Sequence, residues 1–355
     1  MLHRLIVMAL LSATVSSAQV RGYINGQYTL TSFNAATGEI IDSFPTGGTG
    51  TKFAVALNDI TLYVPTVVDF HGVLKAVNGL TGQPFYSLPF PQGFASYKMV
   101  LTSQGGTAFL SGGGNSGLIA INLSTRTVTA AFGLPPAVGI DDLAISPDDS
   151  TLYVSVTCSS IGCSNPPGGG CPVLKGICAF DVRTLALKGI LDKRHGYLSV
   201  SQDSKTLYVN DQGALRGELF IVDAATLLVK DQIIFHGSAV GPVVVSPVGH
   251  YAVVLESLNP GPGTAAYVLD TAANQIVSTL FADAPLGGSS SIAAFAPNGA
   301  SLWMILGCSS NPDCALPNPG GLALTGLAFP SGEVINTVEI PKEVVTLAFP
   351  RTIRH

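Results

Sequence analysis

Charge is what this chain has least of: Asp, Glu, Lys and Arg make up 11% of its 355 residues, against about 25% in an ordinary soluble domain. With a formal net charge of −5 and no basic stripe to neutralise phosphates, the composition argues against nucleic-acid binding. Cysteine is absent before Cys158, so the N-terminal region offers no thiol for a lipid. Long apolar runs are missing too: the one at the N-terminus, Leu5 to Val15, falls short of the roughly 18 to 20 residues that span a bilayer. No stretch keeps the 3.6-residue period of a long amphipathic helix. Catalytic signatures are also lacking, since neither Gly-x-Ser-x-Gly nor His-Glu-x-x-His occurs. Gly47-Gly-Thr-Gly-Thr-Lys52 lacks the Gly-Lys-Ser/Thr ending of a phosphate loop.

What is present in abundance is Gly and Pro, 40 and 23 residues, placed between β-branched runs as turn punctuation. One phrase recurs with drift: Asp142-Leu-Ala-Ile-Ser-Pro-Asp-Asp-Ser-Thr-Leu-Tyr-Val154, Val243-Val-Val-Ser-Pro-Val-Gly-His-Tyr-Ala-Val-Val254 and Ile292-Ala-Ala-Phe-Ala-Pro-Asn-Gly-Ala-Ser-Leu-Trp-Met304. Each is a pair of short strands around a tight turn, and hairpins at a fixed period mark a repeat whose units bury one another. Aligned on the second strand, Tyr63, Phe109, Tyr153, Tyr208, Val253 and Trp303 stand 44 to 55 residues apart. After each comes a second hairpin with a polar turn, such as Asn78-Gly-Leu-Thr-Gly82, Asp181-Val-Arg-Thr184 or Asp223-Ala-Ala-Thr226. An Asp or Asn opening such a turn binds its own backbone.

Four strands per repeat is the size of a propeller blade. The leftover ends, Tyr28 to Phe44 and Val344-Val-Thr-Leu-Ala-Phe-Pro350, combine into a further blade. The expected fold is therefore all-β, a seven-bladed β-propeller of four-stranded blades closed by the C-terminal strand, which abolishes exposed sheet edges. Residues 19–355 form this one domain. Residues 1–18 read as a signal peptide, from Met1-Leu-His-Arg4 through the apolar run to Ser16-Ser17-Ala18, which predicts export to the periplasm, cell surface or medium.

The phrases Ser146-Pro-Asp-Asp-Ser-Thr-Leu-Tyr-Val154 and Gln202-Asp-Ser-Lys-Thr-Leu-Tyr-Val-Asn210, each followed by an Asp-x-x-Thr turn, resemble the YVTN family of bacterial β-propeller repeats. The likeness runs over the whole mature chain and implies architecture rather than an activity. Blade 3 departs from it with Gln104-Gly-Gly where the family has Pro-Asp-Gly, and blade 6 with Val248.

All six Cys fall in two insertions between second and third strands, 158–178 in blade 4 and 308–321 in blade 7. An even count at close spacing in an exported chain reads as disulfides, with Cys158–Cys163, Cys171–Cys178 and Cys308–Cys314 as the pairing expected; other pairings of the first four stay open. A zinc site is the competing reading, which the spacing disfavours. Both insertions should rim the channel mouth where the first strands begin. The polar residues leading into those strands include Lys52, Asp141, Asp142, His195, His236, Lys342 and Glu343.

By analogy of fold with propeller lactonases and lyases, Asp142, His195 and His236 are the catalytic candidates, and Lys52, Asp141, Lys342 and Glu343 the binding candidates. Against this, His195 sits in the charged run Asp192-Lys-Arg-His-Gly196, which reads as a solvated connecting loop, and Asp141-Asp142 reads as a backbone cap. The expected function is a monomeric exported binding or scaffold propeller without cofactor, engaging a protein, glycan or small ligand on the face with the stapled loops. The alternative is a lactonase-like hydrolase or lyase at the channel mouth, holding a divalent cation such as calcium.

Overall fold

The computed structural model describes residues 20–26, 28–46, 49–50, 54–55, 60–68, 71–91, 96–112, 117–132, 138–158, 171, 173, 175–211, 217–235, 239–257, 264–280, 292–307, 322–340 and 344–349. The signal-peptide reading of 1–18 lies outside them. None of the described residues is helical, so among them no helix is long and apolar enough to cross a membrane.

The chain forms seven antiparallel sheets, and in blades 3 to 7 four strands follow one another in sequence order from the channel outward. Blade 1 is the composite: Val344–Ala348 pairs with Arg21–Gly26, followed by Thr29–Asn34 and Ile40–Pro45. The last strand thus closes the ring onto the first. Blade 2 departs slightly from the frame, because its innermost strand comes as two pieces, Thr49–Gly50 and Ala54–Val55, both paired with Thr61–Val68.

Blades hold together through apolar seams. Among the described residues the buried apolar side chains fall into seven clusters, each drawn from two adjacent blades. The period-2 alternation of a strand sends successive side chains to the two neighbours, so every middle strand contributes to two seams. The frame position noted in the sequence crosses the seam: Tyr153 donates its hydroxyl to Ala224 O of blade 5 at 2.9 Å. Trp303 donates Nε1 to Ala35 O of blade 1 at 3.1 Å. The sole Trp is therefore the rivet between blade 7 and blade 1, where the ring closes.

The turns behave as their residues require. Asp181 Oδ1 accepts from the backbone N–H of Arg183 and Thr184 and from the Thr184 hydroxyl, at 2.8 to 3.0 Å. Asp223 does the same with Ala225 and Thr226. Asp149 reaches back one blade, accepting from Ser103 N–H and O–H, both at 2.6 Å.

Candidate functional site

The site is built from the residues that begin the innermost strands of blades 3, 4 and 5. In blade 4 the inner strand Val138–Ile145 carries a β-bulge between Ile140 and Asp142, so that Asp141 and Asp142 together oppose Ser155. A bulge re-aims side chains that strict alternation would send to opposite faces. Both carboxylates accordingly meet blade 5: Asp141 Oδ2 lies 2.6 Å from His195 Nδ1, and Asp142 Oδ2 accepts the Leu198 N–H at 3.1 Å. From the other side, Lys98 of blade 3 brings its Nζ to 3.6 Å from Asp142 Oδ1 and 5.3 Å from the centre of the Tyr197 ring.

His195 is a correction to the sequence reading. It is 8% exposed rather than a solvated loop residue. The run Asp192-Lys-Arg-His-Gly196 feeds directly into the inner strand Gly196–Val200, and the Gly196 N–H is fixed by Ser155 Oγ at 2.8 Å. That anchor presents the ring to Asp141. With Nδ1–H donated to the carboxylate, Nε2 is the ring atom left for chemistry, the arrangement that sets tautomer and orientation in His–carboxylate pairs. Burial raises the Asp141 pKa above the usual carboxylate value, outweighing the His195 hydrogen bond and the nearby Lys98 charge that pull it down.

The neighbouring charge is also organised. Arg194 Nη1 donates to Asp211 Oδ2 at 3.1 Å, with the guanidinium 4.0 Å from the centre of the Phe220 ring. In blade 6 the fully buried Glu256 accepts the Tyr267 hydroxyl at 2.5 Å.

Of the candidates named from sequence, the structure brings Asp141, Asp142 and His195 together. Lys52, His236, Lys342 and Glu343 lie outside the described residues. Among the described residues no three His, Cys, Asp or Glu side chains are grouped to hold a metal ion. Lys98, Arg194, Asp211 and Glu256 were not singled out from sequence. The signal for Lys98 was its rarity, a cation in an inner strand, and for Asp211 and Glu256 a charge just past the apolar part of a second strand.

Cys171–Cys178 is a disulfide, as expected, with S–S 2.01 Å. Cys158 is also disulfide-bonded. Cys163, Cys308 and Cys314 lie outside the described residues. Cys171 and Cys178 are 1% and 0% exposed and belong to the apolar cluster between blades 3 and 4. This bridge nails the insertion of blade 4 to the core beneath it.

No family model matches the chain, and no curated protein matches its sequence. Solved structures do resemble it. A functionally unknown protein from Desulfotomaculum acetoxidans DSM 771 is similar over 94% of this chain and 99% of its own, at 13% identity and a TM-score of 0.66. Hydrazine synthase from Kuenenia stuttgartiensis is similar over 77% of this chain and 75% of its own, at 17% identity and a TM-score of 0.56. At such identities the likeness is one of fold: the chain is a seven-bladed β-propeller.

Proposed function

We propose that this chain is an exported, monomeric binding propeller of the YVTN type that holds a small polar ligand, or a polar group of a larger partner, where blades 3, 4 and 5 meet at the channel. The observation that carries the reading is the convergence of Lys98, Asp141, Asp142 and His195 from three blades onto one end of the inner strands. That end also carries the insertion stapled by Cys171–Cys178. A loop held in place before binding loses less entropy when it meets a ligand. The low charge of the chain makes a local cluster of two acids, a cation and a histidine the more distinctive.

The test is a thermal-shift screen of polar metabolites and saccharides on the mature protein and on a variant lacking residues 159–170. A ligand in hundredfold excess over its Kd stabilises the native state by about 2.7 kcal/mol. A shift that disappears on deletion supports the reading. No ligand, and no partner retained by the intact face, overturns it.

The 2.6 Å contact of His195 with Asp141 favours a second reading, a hydrolase or lyase using His195 as general base. Turnover lost in His195→Gln but kept in the loop deletion identifies that reading. A divalent ion retained per chain after dialysis would support its cation-dependent form.

A further inference from the structure

At each seam the outer half of one blade must meet the turn joining third and fourth strands of the next. Five seams fill that space with a side chain. A Cβ on Gly82 of blade 2 would lie 2.4 Å from Phe44 of blade 1, and one on Gly332 of blade 7 would lie 2.9 Å from Leu280 of blade 6. Arg126 of blade 3 covers the Tyr86 ring of blade 2 at 4.2 Å. Leu227 of blade 5 stands 3.0 Å from where a Cβ on Gly189 of blade 4 would be. Asn336 of blade 7 donates Nδ2 to Thr37 O of blade 1 at 2.6 Å.

Between blades 3 and 4 the filling is thinner: Leu185, at the position of Leu227, packs on the seam, but the residue facing its turn is small. The register puts Ala130 where blade 2 has Tyr86 and blade 7 has Asn336. Phe109, at the frame position of Tyr153, has no hydroxyl to send across. The turn of blade 3 that departs from the family phrase, Gln104-Gly105-Gly106, contributes no side chain at Gly106, where an added Cβ would have nothing within 4 Å. The result is a groove of about 530 Å³ on the face opposite the stapled insertion. That size falls within the range of small-molecule sites, roughly 300–1,000 Å³.

Its chemistry is mixed but electrically even-handed. Asp149 spends its oxygens on Ser103, and Asp148 Oδ1 accepts from the Ser146 hydroxyl at 2.6 Å and the Ser150 N–H at 3.0 Å. The exposed Arg183 guanidinium makes no ion pair among the described residues. An anionic ligand would meet two carboxylates and a cationic one the guanidinium. A neutral polyol meets neither penalty, and each of its hydroxyls both donates and accepts. Arg183 and the Gln104 amide supply donors, the remaining Asp148 oxygen is an acceptor, and Ala130 with Leu185 gives an apolar patch for a ring face.

We propose that the groove between blades 3 and 4 is a second binding site, for a neutral saccharide, independent of the channel cluster. The experiment is saturation-transfer NMR of the mature protein with maltotriose, cellotriose and chitotriose as probes. The expected result is transfer to at least one of them, lost in Ala130→Tyr and in Gly106→Leu, both of which fill the groove, and kept in Ser278→Tyr, at the same register position in blade 6. Gly106→Leu builds into open space, so it serves even if Ala130→Tyr fails to fold. No transfer to any of the three probes, or undiminished transfer with the groove filled, overturns the proposal.

Discussion

Replacing Asp142 separates what a buried carboxylate does for a seam from what it does for a ligand. The residue is 6% exposed, accepts the Leu198 N–H at 3.1 Å and faces Lys98 at 3.6 Å. Asp142→Ala removes a hydrogen bond to a charged group, worth about 1.5–3 kcal/mol, and strands the buried N–H of Leu198. The ion pair adds little, about 1 kcal/mol at most, because the Lys98 end is partly wet. We expect about 3 kcal/mol lost in Asp142→Ala and about 1 kcal/mol in Asp142→Asn, whose amide oxygen can still accept the Leu198 N–H. The assay is urea unfolding followed by far-UV circular dichroism and by the fluorescence of Trp303, the only tryptophan. Equal midpoints for the two variants would refute the assignment of the backbone bond as the main contribution. Wild-type midpoints in both would refute any structural role and leave the carboxylate to the ligand.

Trp303→Phe should cost about 2–4 kcal/mol, since it leaves Ala35 O without its donor and opens a void beside Phe33; a loss below 0.5 kcal/mol, the level of an ordinary surface change, would show that the closing seam does not depend on it. Changing Cys171 and Cys178 together to Ala should cost about 2 kcal/mol, the value for a short loop, and the unreduced wild-type protein should show no free thiol when titrated in denaturant; reactive thiols would contradict the pairing. Burial pushes the phenols of Tyr153, Tyr208 and Tyr267 up to about 12 from 10.0. The folded state then holds protons that the unfolded chain has lost, so stability is intact below pH 10 and falls as pH rises from there towards 12. Tyr153→Phe should flatten that fall, measured as urea midpoint against pH, and an unchanged slope would contradict the burial argument.

The repeat was legible because each of its elements is local. The Asp-x-x-Thr turn and the Ser-Pro-Asp hairpin lie within a few residues of what they bond. The seams were less legible. His195 lies 54 residues from Asp141 in sequence, and Leu198 lies 56 from Asp142. Nothing in a polar connecting run says that its histidine will turn inward, and composition favoured the wrong answer. The filled seams show the same limit: that Arg126 lies over Tyr86, or that Ala130 leaves a gap, follows only once the register aligns blade with blade.

The bulge that assembles the channel cluster belongs to the repeat, while its chemistry does not. Inner-strand register shifts occur at the same level in blades 1, 3, 4 and 6. In blade 6 the residues at that level are Gly241 and Pro242, in blade 1 Val345 and Thr346, in blade 3 Tyr97 and Lys98, in blade 4 Asp141 and Asp142. The backbone therefore tolerates uncharged residues there, and closing the ring does not require charge. Burying two carboxylates costs free energy unless they are paired, and the pairing draws in Lys98 and the His195 ring from neighbouring blades. A chain with so few charges that places four ionisable groups around one repeated kink is using the kink to aim them. The same reasoning makes the Gly241-Pro242 kink of blade 6 the natural control. Asp141→Gly combined with Asp142→Pro should keep the bulge, with an unchanged far-UV circular dichroism spectrum and a stability loss of about 3 kcal/mol as in Asp142→Ala, while abolishing ligand binding at the channel.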